Sequence, residues 1–209
     1  MAFITRCWSK ARAELSALLA CALLGGAVSV HAQPVAVDVS QLELRRQGEA
    51  VELNVGLQFE LPGPVQDALN KGLPVIFVAE AEIYRERWYW LDKRVASAQR
   101  QMRLVYQPLT RRWRLSIGSG PGRPGESAGA ALGQTFDSLD EALALIRRFV
   151  GWRIAEFGAL EAGSTHRLEF RFRLDTAQLP RPLQIGTLGE SDWVLAASAS
   201  RRLQPESLK

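Results

Sequence analysis

The chain has 209 residues, 26 basic against 22 acidic side chains and a hydrophobic fraction of 47%, enough apolar material for a full core and too balanced in charge for a disordered polyelectrolyte. Its only cysteines are Cys7 and Cys21. Both precede the globular part, which excludes disulfide stapling and thiolate catalysis there, and the mild positive excess does not argue for nucleic-acid binding.

Residues 1–32 read as a secretory signal peptide. Arg6, Lys10 and Arg12 form a basic start, Leu15 to Val30 is an apolar run broken by Gly25 and Gly26, and Val30-His31-Ala32 offers a small-residue cleavage pattern before Gln33. The run is shorter than the roughly 20 residues a spanning helix needs. The expected location is therefore periplasmic or secreted after cleavage near Ala32, with membrane contact only if the signal stays uncleaved or becomes lipidated at Cys21. Lysines are confined to Lys10, Lys71, Lys93 and Lys209. Such an arginine bias could mean anionic partners, but GC-rich codon usage is the favoured explanation, so it decides nothing alone.

Residues 33–209 read as a single β-rich domain. Val35 to Leu44 and Val51 to Leu61 are strands joined at Arg45–Glu49, where Gly48 can take the positive φ of a tight turn. In the second, Val51, Leu53, Val55, Leu57 and Phe59 alternate with polar or small residues, so one face is buried and one is wet. Pro62-Gly63-Pro64 ends that strand and a short helix spans Pro64 to Lys71, with Gly72 as its stop. Pro74 opens a long strand that leads into the segment Tyr84–Lys93. Met102, Leu104 and Tyr106, then Trp113, Leu115 and Ile117, mark two further strands around the turn Pro108-Leu109-Thr110.

From Gly118 to Gly133 the composition predicts a mobile loop within the domain. Ser138-Leu139-Asp140-Glu141 is a capping box. The helix it opens carries Leu139, Ala142, Leu143, Ile146, Phe149 and Val150 on one face and ends near Gly151. Leu168, Phe170, Phe172 and Leu174 alternate with Arg167, Glu169, Arg171 and Arg173 as a half-buried strand. The turn Leu179-Pro180-Arg181-Pro182 then leads to a last strand around Trp193 to Ala199. About seven strands with two helices predict an α+β fold, a mainly antiparallel sheet, sandwich-like or strongly curved, with the helices packed on it.

No residue constellation for catalysis, metal or cofactor binding emerges. His166 shares the parity of Leu168 and Phe170, which places it at the mouth of the buried face in a structural role. A serine hydrolase would need a base and an orienter for its nucleophile, and the letters Gly-x-Ser-x-Gly at Gly125–Gly129 fall in a Gly-, Ser- and Pro-rich loop rather than on a strand-to-helix turn. Gly120 to Gly125 matches the letters of a dinucleotide fingerprint without the strand, tight turn and helix that the chemistry requires. Glu80, Glu82 and Glu86 would be the carboxylates of a hydrolase, but their alternation along one strand marks a solvated face.

The segment Tyr84-Arg85-Glu86-Arg87-Trp88-Tyr89-Trp90-Leu91-Asp92-Lys93 is the densest in aromatics and cations. From Val75 the odd positions are apolar, so an unbroken strand would place Arg85 and Arg87 on the core face, lining a groove for a carboxylate or phosphate. A β-bulge between Ile83 and Trp88 would instead return Trp88 and Trp90 to the core and the arginines to solvent. The penalty of burying two unpaired guanidiniums favours the bulge. In either phase some of Trp88, Tyr89 and Trp90 stay exposed, and aromatic and arginine residues are the usual composition of binding hot spots.

The segments Asp67–Pro74, Tyr84–Asp92, Tyr106–Thr110, Leu139–Leu143 and Leu179–Gln184 together resemble a proteobacterial family of small exported proteins, the domain of unknown function DUF4390. The resemblance implies an exported envelope protein with an accessory role and no assigned activity. The resulting expectation is a non-catalytic domain without cofactors that engages an envelope protein partner through Arg85, Arg87, Trp88, Tyr89 and Trp90. The alternatives are a binder of a small anionic ligand gripped by Arg85 and Arg87 and, more weakly, a carboxylate-dependent hydrolase.

Overall fold

The computed structural model describes residues 37–89, 91–120, 132–178 and 193–208, all within the compact unit Gln33–Lys209. The expected signal, Trp90, most of the expected loop at 118–133 and the turn Leu179–Pro182 lie outside the described residues. Nine strands and two α-helices follow in the order β1 (Asp38–Gln47), β2 (Ala50–Gln58), α1 (Gly63–Asn70), β3 (Val75–Arg85), β4 (Lys93–Gln107), β5 (Arg112–Ser119), β6 (Leu132–Phe136), α2 (Leu139–Ile146), β7 (Arg148–Glu156), β8 (His166–Leu174) and β9 (Ala196–Leu203) among the described residues. They form a three-stranded sheet, β1-β2-β7, and a six-stranded sheet, β6-β5-β4-β3-β8-β9. Every pairing in both is antiparallel. The fold is α+β and dominated by antiparallel sheet, as the alternating pattern predicts.

Period-two alternation decides which faces meet. Val51, Leu53, Val55 and Leu57 of β2 are buried, as are Phe77, Ala79, Ala81 and Ile83 of β3 and Leu168, Phe170 and Phe172 of β8. These inner faces enclose one core, with aromatic rings at its centre. Phe59 lies 5.5 Å from Phe172 and 6.2 Å from Phe77, and Phe149 of β7 meets Phe170 of β8 edge-on at 6.0 Å. Each such side chain contributes about 1.5–3 kcal/mol through burial.

The helices close the ends of the core. In α1, Val65, Ala68 and Leu69 are buried; Gly72, at φ 77°, turns the chain out of the helix into β3. In α2 the Ser138 hydroxyl accepts from the Glu141 amide at 3.2 Å, the capping contact read from the sequence, and Ala142, Leu143 and Ile146 are buried.

The structure corrects the sequence reading at several places; β1 runs on to Gln47, through residues expected in the turn, and β2 ends at Gln58. The second helix stops at Ile146, so Phe149 and Val150 belong to β7, where Phe149 is buried and Val150 is 65% exposed. Gly151 is no helix stop. It sits at φ 61° in β7, where the register against β2 slips between Leu53 and Val55 and the Gly151 amide donates to Asn54 Oδ1 at 2.8 Å, the geometry of a bulge. Gly118 and Ser119 still belong to β5, while Leu132 and Gly133 begin β6. The last strand is Ala196–Leu203, and Trp193 is buried ahead of it.

Candidate functional site

Strand β3 keeps one phase to its end. Against β8 its register runs unbroken from Phe77 opposite Leu174 to Arg85 opposite His166. The slip predicted near Tyr84 occurs on the neighbouring strand: Ile83 faces Ala96 and Tyr84 faces Arg94, so Val95 of β4 is the extra residue. Arg85 therefore stays on the inner-face parity, at the rim of the core. Its guanidinium forms an ion pair with Glu161 and is half-buried. The favoured bulge thus does not reverse the phase of β3 or carry Trp88 into the core, and the alternative of a straight strand ends at Arg85.

Beyond Arg85 the chain leaves the sheet; the described residues 86–89, 91 and 92 lie outside the strands, and their base is tied to β8 and β9. The Glu86 amide donates to the Thr165 carbonyl at 2.9 Å, and the Glu86 carboxylate accepts from Arg202 Nε at 2.9 Å. Asp92 takes Arg167 Nη2 on Oδ2 at 2.9 Å, and the Arg87 amide at 3.4 Å on Oδ1. Arg167 also pairs with Glu169 at 3.2 Å and lies over the Tyr84 ring at 5.9 Å. Two carboxylates thus fix the stem from both sides.

The tip carried by this stem is apolar and open. Trp88 is 92% exposed, Leu91 is 90% exposed and Tyr89 is 66% exposed. Trp88 and Tyr89 pack on each other edge-to-face at 4.8 Å, an arrangement that orders both rings without burying either. Other exposed large apolar side chains are scattered: Leu109 stands in the β4–β5 turn, at the opposite end of β4, and Val194 precedes β9. Exposed Arg87 and Lys93 flank the tip and have no ion pair among the described residues.

Of the five residues named from the sequence, Arg87, Trp88 and Tyr89 come together at the tip, Arg85 is set apart at the core rim, and Trp90 lies outside the described residues. Leu91 belongs to the tip and was in the same run, recognisable as a further apolar residue among aromatics. Glu86, Asp92, Arg167 and Arg202 build the stem. Arg167 and Arg202 carry no sequence signal for that role, because pairing across the sheet creates it.

The outer face of the six-stranded sheet is a lattice of ion pairs. Glu82 accepts from Arg94 at 2.7 Å, Tyr84 Oη at 2.8 Å and Arg171 at 3.5 Å. The Arg94 and Tyr84 hydrogen bonds hold the Glu82 carboxyl below the usual carboxylate range, and the same bond to Glu82 pushes the Tyr84 phenol up. Arg171 also pairs with Glu169 at 2.8 Å, and Arg173 with Glu80 at 3.5 Å. At the sheet end His166 is fully buried, with Nδ1 donating to the Ser164 carbonyl at 3.1 Å and Nε2 without a partner. Burial lowers its pKa. Among the described residues no group of His, Cys, Asp and Glu side chains is arranged to hold a metal ion.

No curated protein and no solved structure matches the chain. A family model described as a domain of unknown function, DUF4390, matches residues 35–202. That match takes in every strand up to all but the last residue of β9, and the chain belongs to this family.

Proposed function

We propose that the chain is a non-catalytic binding domain of the cell envelope that docks a protein partner through the tip of the β3–β4 loop. One observation carries the reading: Trp88, Tyr89 and Leu91 are all exposed, with Trp88 and Tyr89 packed on each other, on a stem pinned by Glu86 and Asp92. A preordered aromatic tip loses little conformational freedom on docking, and burying its side chains contributes on the order of 2 kcal/mol each before association costs. The carboxylates that a hydrolase would use support the same reading. Glu80 and Glu82 are engaged by arginines on an open sheet face, and Glu82 is held ionised rather than poised to donate a proton.

The test is site-specific photo-crosslinking in intact cells, with the photoreactive residue at Trp88 and, as control, at Leu109. A discrete protein adduct from position 88, absent from 109 and lost when Tyr89 and Leu91 are replaced by Ala, is the expected outcome. Equal adduct patterns at both positions refute the docking role. The Trp88→Ala, Tyr89→Ala double variant keeps the wild-type urea midpoint, within about 0.5 kcal/mol, because neither ring supports the core.

A further inference from the structure

Four arginines are half-buried among the described residues: Arg85, Arg100, Arg147 and Arg167. Three have an acceptor. Arg85 pairs with Glu161, Arg167 with Asp92 and Glu169, and Arg147 donates to the Phe59 carbonyl at 2.8 Å. Arg100 has no ion pair and no hydrogen bond from its guanidinium to any described residue. It lies on β4 two residues before buried Met102, on the same face, pointing to the core side of the sheet.

Its surroundings are aromatic. The Arg100 guanidinium lies 5.0 Å from the Trp152 ring centre and 5.7 Å from that of Phe149, both on β7, the edge strand of the three-stranded sheet. Burial pulls its pKa below the usual arginine value. None of its nitrogens is sealed from solvent without a partner, so the donor edge of the fork reaches water while its face is stacked. Directly opposite on β5 is Ser119, exposed and on the same face, within reach of a shared ligand for a directly opposed pair. A guanidinium stacked on rings, partly stripped of water and free along its edge is arranged to take an oxyanion through paired N–H donors.

We propose that Arg100 heads an anion-binding site at the open side of the sandwich between β4 and β7, which takes one carboxylate or phosphate group with the Ser119 hydroxyl as a second donor. The site is separate from the tip, and Arg85 cannot substitute for Arg100 because Glu161 already occupies it.

Thermal melting with inorganic phosphate, with acetate and with chloride at matched ionic strength tests this. Phosphate or acetate raises the midpoint saturably and chloride does not; whichever of the two acts identifies the ligand group. Arg100→Gln removes the response, and Arg100→Lys, which keeps charge but loses the fork, weakens the affinity by about tenfold. A wild type without a saturable response to either anion, or an Arg100→Gln variant that responds like wild type, overturns the proposal and leaves Arg100 as a stacking strut. If Arg100→Gln does not fold, the Arg100 Nε–H resonance of the wild type decides: a saturable shift on titration supports the site, and an unmoved resonance sinks it.

Discussion

Acidification is the perturbation that most directly probes the core rim. His166 is fully buried, and with its Nδ1 hydrogen bonded to the Ser164 carbonyl the proton of the neutral ring sits on Nδ1. Protonation would place a second N–H on Nε2, which has no acceptor; burial disfavours the cation most strongly, the hydrogen bond to the Ser164 carbonyl favours it, and the smaller effects of Arg85 against it and Glu206 for it leave the pKa lowered. The folded-state pKa is therefore below the unfolded value of 6.5. Above that value neither state binds the proton and stability is unaffected. Below it the unfolded chain binds the proton and the folded chain does not, so stability falls as pH falls, by at most about 1.4 kcal/mol per pH unit until the folded pKa is reached. Between pH 7.5 and 5.5 the loss is at most about 1.4 kcal/mol, a ceiling of roughly 3 to 6 °C in melting temperature for a domain of this size. The lowered carboxyls, Glu82 and Glu206, start from an ordinary value of 4.5. Their stabilisation is present above it and disappears only at lower pH, which leaves the window from 5 to 6.5 to the histidine. Urea unfolding of the wild type and of His166→Leu across this range gives the answer. The wild type loses stability on acidification and the variant holds a flatter profile; parallel profiles would show that His166 titrates freely and that its burial carries no proton linkage.

Three further outcomes follow from packing and backbone geometry. Phe172→Ala removes a ring that packs on both Phe59 and Phe77 and is expected to lower stability by about 3–5 kcal/mol in chemical denaturation. Gly151→Ala places a side chain at φ 61° in the β7 bulge; the left-handed conformation alone costs about 1–2 kcal/mol, read from the same denaturation curves. Asp92→Asn removes the charge that holds Arg167: global stability drops by less than about 1 kcal/mol, while hydrogen exchange speeds up at residues 87–91 and stays unchanged in β8. Exchange at the tip that matches wild type would show that the stem does not depend on Asp92.

What was legible in the sequence follows from which signals are local. In β2 and β8 strict alternation with one wet face fixes both the strand and its orientation, so Val51 to Leu57 and Leu168 to Leu174 read correctly, while β2 ends at Gln58 rather than at the expected Leu61. Strand β7 was hidden because Ile146, Phe149 and Val150 continue the helical spacing of α2 across its end. The bulge at Gly151 then breaks the alternation that would have revealed a strand, since the buried residues are Phe149, Trp152 and Ile154. The strip from Tyr84 to Lys93 announced itself by composition, but its disposition rests on tertiary contacts. Strand β3 stops where the Glu86 amide turns to Thr165, and the loop stands up because Arg167 and Arg202 reach it from strands far along the chain. Arg100 did leave a trace: it falls on the parity of Met102 and Leu104, where a lone cation is out of place.

The arginine bias takes on meaning once each guanidinium is followed to its acceptor. On the outer face Arg94, Arg171 and Arg173 pair with Glu82 and Glu80 across neighbouring strands, Arg167 with Asp92 of the loop, and Arg167 and Arg171 with Glu169 along β8 itself. These exposed pairs contribute little individually, yet they pin side-chain direction over a wide polar sheet and occupy the carboxylates nearest the loop. The flanking cations Arg87 and Lys93 therefore have no ion pair among the described residues and stand beside three exposed apolar side chains. A partner surface complementary to this tip is an apolar recess with acidic surroundings, and association with it weakens as salt rises, because screening acts on those two cations and leaves the hydrophobic contact intact. A tip that bound equally well at low and high salt would be held by its aromatic residues alone.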